Sequence, residues 1–168
     1  MTDYYIREAL PSDAEKLIEY LKIIGTESDN LTFGKEGLGI SVSSEQAYLH
    51  NLKEDKHSVM YVAIKNGEII GQVGLDGLPR RMSHRSELGI TVRKEEWGKG
   101  IGTTLLSKAI SYAKDNGIEL INLEVRSDNI SAIHLYKKFG FKRIGKFPAF
   151  FKIDNEYFEF HLMVLDLR

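Results

Sequence analysis

From Ala14 onward, apolar residues fall at Leu17, Ile18, Leu21 and Ile24, which is one face of a helix. Pro11-Ser12 starts that helix, Ser12 and Glu15 stand three residues apart as in a capping box, and Gly25 marks its end. Tyr4 to Ala9 alternates ahead of it as a strand. Residues 25–42 carry four glycines and no clear period, and read as a long loop of the kind that is usually functional. Ser43 and Gln46 suggest a second capping box, with a short helix to about Leu52. Two apolar runs, 59–65 and 69–75, flank Asn66-Gly67, a strong hairpin signal because both turn positions need positive φ. Glu87 to Val92 is a further strand, and Leu78 to Arg85 a loop before it. Ile101, Leu105, Leu106, Ala109, Ile110 and Ala113 mark a helix from Ile101 to Asn116. A strand at 120–125, a helix capped by Asp128 or Asn129 and ending at Phe139-Gly140, and strands at 141–151 and 157–167 complete the order. A meander beside one strand-helix-strand unit predicts an α/β fold: a mixed sheet of about seven strands with helices on both faces.

A chain of 168 residues with 42% apolar content suits a single domain, 1–168. A net charge of -1 gives no global pull toward nucleic acid or a membrane surface. No apolar run approaches the roughly 18 residues that span a bilayer. The start, Met1-Thr2-Asp3-Tyr4-Tyr5, lacks a signal-peptide pattern, so a cytoplasmic location is expected. There is no cysteine, which removes disulfides, zinc-thiolate sites and a cysteine thioester from consideration. The five histidines (His50, His57, His84, His134 and His161) form no His-x-x-x-His pair, and no metal is expected.

The sharpest chemical signal is Trp97-Gly98-Lys99-Gly100-Ile101-Gly102, set between a strand and a helix. A helix start exposes unpaired amides and the positive end of the dipole, and glycines let a diphosphate approach the backbone. A Walker A loop would need Ser or Thr after Gly-Lys, but Lys99 is followed by Gly100. The spacing is one residue short of the dinucleotide fingerprint Gly-x-Gly-x-x-Gly.

Residues 87–144 resemble the GNAT superfamily of N-acetyltransferases. The family's pyrophosphate motif is Gln or Arg, two residues, Gly, any residue, then Gly or Ala; it aligns here with Trp97, Gly98-Lys99, Gly100, Ile101 and Gly102. Trp97 departs from the Gln/Arg slot and leaves the backbone cradle intact. A second block, Leu123-Glu124-Val125, Asn129, Ala132, Leu135-Tyr136 and Phe139-Gly140-Phe141, matches the family's next signature. The look is nearest to the branch acting on spermidine-type amines and ribosomal-protein alanine N-termini.

The resemblance implies acetyl-CoA as co-substrate and a primary amine as acceptor: a polyamine, amino acid, antibiotic or protein N-terminus. The acetyl-CoA core would be residues 86–145. Pantetheine would lie against backbone of Ile90 and Val92 as an added strand. Amides from Gly98 through Lys99, Gly100, Ile101 and Gly102 to Thr103 would bind the pyrophosphate, with Lys99 near the phosphates or facing water. Asn129 would cap its helix and reach the pantetheine. Tyr136 would protonate the departing thiolate. Glu87, roughly 17 Å along the strand from Val92 at about 3.3 Å per residue, is the candidate base; Glu27 and Glu124 are further candidates. The acceptor side would be 25–55 and 146–158, with Phe33, Phe150, Phe151 and Tyr157 forming the pocket and Glu27, Asp29 and Glu36 suiting a cationic amine. A homodimer through the last strands is a further expectation. Two other readings share the motif: a non-catalytic acyl-CoA sensor, and a nucleotide-binding phosphate fold.

Overall fold

The computed structural model describes residues 3–168; Met1 and Thr2, at the head of the N-terminal segment read above, lie outside the described residues. The strands are β1 (Tyr5–Glu8), β2 (Val59–Lys65), β3 (Glu68–Gly77), β4 (Arg85–Val92), β5 (Leu120–Arg126), β6 (Lys142–Ile153) and β7 (Glu156–Asp166). The helices are α1 (Ala14–Glu27), α2 (Val42–Leu52), α3 (Ile101–Asp115) and α4 (Ile130–Lys138). One mixed sheet runs β1-β2-β3-β4-β5-β7-β6, and only the β4–β5 pair is parallel. This is the α/β architecture, with seven strands and helices on both faces, that the pattern predicts.

The sheet divides the apolar interior into two layers. Leu17, Leu21 and Ile24 of α1 and Leu49 of α2 bury against Val62, Ile64 and Ile69. Leu105, Leu106 and Ala109 of α3, with Ile133 and Tyr136 of α4, pack on Val73, Leu88, Ile121 and Leu123. Spacings of three and four in the helices and two in the strands put these residues on facing surfaces. Asn66 and Gly67 have φ of 51° and 77°, and Asp154 and Asn155 have 50° and 65°. Both two-residue turns therefore have the positive-φ geometry that suits strand twist.

Three local expectations are corrected. The Ser12–Glu15 box does not form: a 3-10 turn covers Pro11–Asp13, and the Asp13 carboxylate instead accepts the Leu10 amide at 2.7 Å and the Arg7 guanidinium. The cap of α2 is Ser41, whose hydroxyl accepts the Ser44 amide at 3.1 Å, two residues before the expected Ser43. Gly25 does not end α1, which continues to Glu27. It is a glycine because a Cβ there would sit 2.0 Å from the Gly34 carbonyl oxygen: the long loop crosses α1 at this point.

No helix among the described residues is long and apolar enough to cross a membrane. The loop crossing leads to a prediction. Alanine inside a helix is favoured over glycine by about 1 kcal/mol. Overpacking costs about 1 to 3 kcal/mol, and a backbone oxygen cannot swing aside as a side-chain end can. Gly25→Ala should therefore destabilise the protein on balance in urea unfolding, and a gain in stability would contradict this account of the crossing.

Candidate active site

β4 pairs with β5 only through Arg85, Ser86 and Glu87, set against Leu120, Ile121 and Asn122. It remains paired with β3 as far as Val92. The Arg93 amide donates to the Ile70 carbonyl at 2.9 Å, which fixes the alternation of an antiparallel ladder. Thr91 and Gly89 therefore turn their backbone groups to β3, while Val92 and Ile90 turn theirs into the gap beside β5. A cleft of about 1270 Å³ fills that gap and extends beneath the long loop, α2 and the β6–β7 hairpin.

The glycine turn closes one end of the cleft. Gly98 and Gly100 have φ of 77° and 83°, in the left-handed region where a side chain is disfavoured. No side chain caps α3 at Gly100, and the first helical bond runs from the Thr104 amide to the Gly100 carbonyl at 3.1 Å. The amides of Ile101, Gly102 and Thr103 thus have no partner within the helix, and these three residues line the cleft with Gly98 and Gly100. Trp97 also lines it, but its indole N–H donates to the Val92 carbonyl at 2.9 Å. The tryptophan therefore ties the turn to the end of β4, a role that its place in the motif did not suggest.

Lys99 does not line the cleft. Its ammonium donates to Glu96 Oε2 at 3.0 Å, while Lys65 donates to Oε1 at 3.1 Å. Glu96 is buried beneath the turn, and its carboxyl lies below the ordinary value, chiefly through the Lys99 hydrogen bond, with burial opposing and Lys65 assisting. Neither expected place for Lys99, near the phosphates or facing water, included this ion pair, which joins it to the support of the turn.

At the middle of the cleft, Asn129 caps α4, its side-chain oxygen accepting the Ala132 amide at 3.4 Å. Tyr136, about two helical turns further on, is buried and lines the same cleft. Burial pushes its phenol up to about 12, so the hydroxyl keeps its proton at neutral pH. No described residue bonds that hydroxyl, and no fully buried side-chain oxygen among the described residues lacks a partner. The hydroxyl therefore opens onto the cleft.

The other carboxylates divide differently from the sequence expectation. Glu27 is held by Arg93 at 3.0 Å and by the Lys94 amide at 2.8 Å. Glu36 accepts the Gly34 amide inside its own loop, and the Asp29 backbone carbonyl accepts from the Arg126 guanidinium. Glu87 is exposed on β4 opposite Asp76 and Asn122, two residues from the cleft-lining Gly89. Phe33, Phe150 and Phe151 line the cleft, whereas Tyr157 is exposed and does not. Glu45, Asp76 and Glu124 do line it. Glu45 and Asp76 escaped the sequence reading; the 41-44-45-48 spacing of α2 is the signal that would have found Glu45. Burial raises the carboxyls of Glu45 and Glu124, and Glu87 raises that of Glu124 further.

The Glu96 ion pairs carry a pH signature. A carboxyl lowered in the folded state adds stability above its unfolded pKa, and that stability is lost as pH falls through the folded value. Glu96→Gln should cost about 1 to 2 kcal/mol at neutral pH. The deficit relative to the parent should shrink as unfolding is measured below about pH 4.5; a deficit independent of pH would remove the ion pairs as its source.

Comparison with known proteins adds to this geometry. Residues 28–141 match the model of the Acetyltransferase (GNAT) family. An N-alpha-acetyltransferase of Sulfurisphaera tokodaii is 28% identical over 152 residues, covering 84% of this chain and 82% of that protein. An acetyltransferase of GNAT family from Streptococcus pneumoniae superposes with a TM-score of 0.95 at 29% identity, covering 98% and 99% of the two chains. A GNAT superfamily phosphinothricin acetyltransferase from Sinorhizobium meliloti, solved in complex with acetyl-CoA, shares the fold with a TM-score of 0.84 at 20% identity, covering 99% and 89%. With its strands parted at Glu87, its glycine turn and a family match over more than half its length, this chain belongs to the GNAT family and is an acetyl-CoA-dependent acetyltransferase.

Proposed function

We propose that the protein transfers the acetyl group of acetyl-CoA to a primary amine by direct attack in a ternary complex. The carrying observation is the gap between β4 and β5, with unpaired amides at one end and the Tyr136 hydroxyl opening into it. Pantetheine lies along Ile90 and Val92, whose backbone groups turn into the gap. The pyrophosphate rests on the amides from Gly98 to Thr103, and the nitrogen side of the Asn129 amide faces the pantetheine arm. Support for an amine acceptor comes from the Sulfurisphaera tokodaii relative, named an N-alpha-acetyltransferase.

The steps follow from these placements. The neutral amine adds to the thioester carbonyl, and a β4 backbone amide stabilises the oxyanion. Glu87, exposed two residues from the cleft-lining Gly89, takes the amine proton through water. The tetrahedral intermediate collapses, the carbon–sulfur bond breaks, and Tyr136 gives its proton to the thiolate. The raised phenol favours this role because it stays protonated until the thiolate forms. The acceptor-side elements are the long loop, α2 and the β6–β7 hairpin, and β6, at the sheet edge with Ile144 and Phe147 exposed, offers the surface for a homodimer.

Thiol release in the presence of an amine panel tests the reading. Tyr136→Phe should lower kcat by about 100-fold, within the range of general acid catalysis, and leave acetyl-CoA affinity within about 3-fold, since the ring still packs. An unchanged kcat removes Tyr136 from the proton transfer. Acetyl-CoA binding without thiol release from any amine would favour a sensor instead.

A further inference from the structure

Six charged residues line the cleft: Glu27, Glu45, Asp76, Glu96, Glu124 and Arg126. Glu27 is matched by Arg93, and Glu96 by Lys65 and Lys99. Arg126 is held by both oxygens of Asp128, at 2.9 and 2.7 Å, and lies 4.1 Å from the centre of the Phe158 ring. The single lining cation is therefore already engaged. Glu45, Asp76 and Glu124 have no cationic partner among the described residues.

Glu45 is the sharpest of these. It is 5% exposed, lines the cleft, and receives no hydrogen bond from any described side chain. No fully buried side-chain oxygen among the described residues lacks a partner, so its carboxylate opens onto the cleft. Burying a carboxylate without a donor is costly, and a cationic ligand removes the cost. Asp76, by contrast, already accepts the Tyr48 hydroxyl at 2.6 Å. No group of three or more described carboxylates and histidines is placed to hold a metal ion, whereas an ammonium needs only one carboxylate.

The same cleft is also lined by aromatic rings. Phe150 lies 5.6 Å from Phe151, and each lies 4.4 Å from Phe160, centre to centre. Neighbours in a regular strand point to opposite faces, yet Phe150 and Phe151 both line the cleft. The cause is a bulge. Between Phe147 and Phe151 the register with β7 advances only from Phe160 to Phe158, and Ala149 has a φ of 54°. The strand is distorted so that both rings face the cleft.

We propose that Glu45 binds the acceptor as its ammonium, which passes one proton to cleft water before the neutral amine attacks, and that the acceptor is a primary amine on an aromatic body without a carboxylate. This rests on the transfer reading above and names its substrate class. Amino acids are disfavoured because Arg126, the one cation lining the cleft among the described residues, is already held by Asp128. Glu45 touches the substrate in this account; the phenylalanines select its body.

The matched probes are 2-phenylethylamine and L-phenylalanine, which differ only by the carboxylate, with spermidine and an alanine-terminated peptide as further acceptors. The expected kcat/KM for phenylethylamine exceeds that for phenylalanine by at least about 100-fold, as like charges in a desolvated site require. Glu45→Gln should raise the amine KM by about 10-fold or more, the effect of losing a charged hydrogen bond. Phe150→Leu should raise it too, and in both variants acetyl-CoA should still protect against thermal unfolding, which shows the fold intact. Equal or faster turnover of phenylalanine, a preference for spermidine or the peptide, or an unchanged KM in Glu45→Gln would each overturn the inference while leaving acetyl transfer standing. Absence of thiol release with every amine would overturn the transfer reading, and this inference with it.

Discussion

Backbone polar groups inside a protein need partners, and a strand that leaves its neighbour creates a row of groups without them. β4 leaves β5 after Glu87, and the backbone groups of Ile90 and Val92 then face a cleft rather than a strand. The remainder of the molecule maintains that parting. β3 holds β4 along its other edge to Val92, β7 holds β5 along its full length, and α3 and α4 fill the space behind. A ligand with amides of its own can occupy the gap as a strand would, and pantetheine has that chemistry.

The turn after β4 depends on the same constraint. Its residues must leave the strand, pass two left-handed positions and begin α3 with the amides turned outward. Two interactions hold it from either side. The Trp97 indole binds the last carbonyl of β4, and the buried Glu96 draws in Lys65 and Lys99. Neither residue needs to touch a phosphate for the cradle to keep its shape. The positive end of the α3 dipole and the free amides would supply the attraction for one.

Much of this was legible in the chain. Asn66-Gly67 and Asp154-Asn155 announce tight hairpins, because few other pairs accept two positive φ values in succession. The apolar spacing of α3 appears unchanged in its buried face. The glycine turn of Gly98, Gly100 and Gly102, between a strand and a helix, and the Asn129-to-Tyr136 block pointed to the family that the comparison then showed. What was not legible depended on contacts distant in sequence. Gly25 read as a helix stop until Gly34 was seen lying against it. Glu27 read as a free acid, yet it pairs with Arg93. The strand expected at 141–151 is present as β6, but the bulge between Phe147 and Phe151 that re-aims two rings had no sequence signal. Glu45 looked like any charge in a first helical turn, because its burial comes from how α2 sits over the sheet.

The central claim is that the unpaired amides of β4 and the glycine turn receive coenzyme A. Amide hydrogen exchange by NMR, with and without coenzyme A, tests it most directly. The account predicts that the amides of Ile90 and Val92, and those from Gly98 to Thr103, exchange freely without coenzyme A and become protected when it binds. Binding of coenzyme A that leaves those amides unprotected, with protection arising elsewhere in the chain, would contradict it.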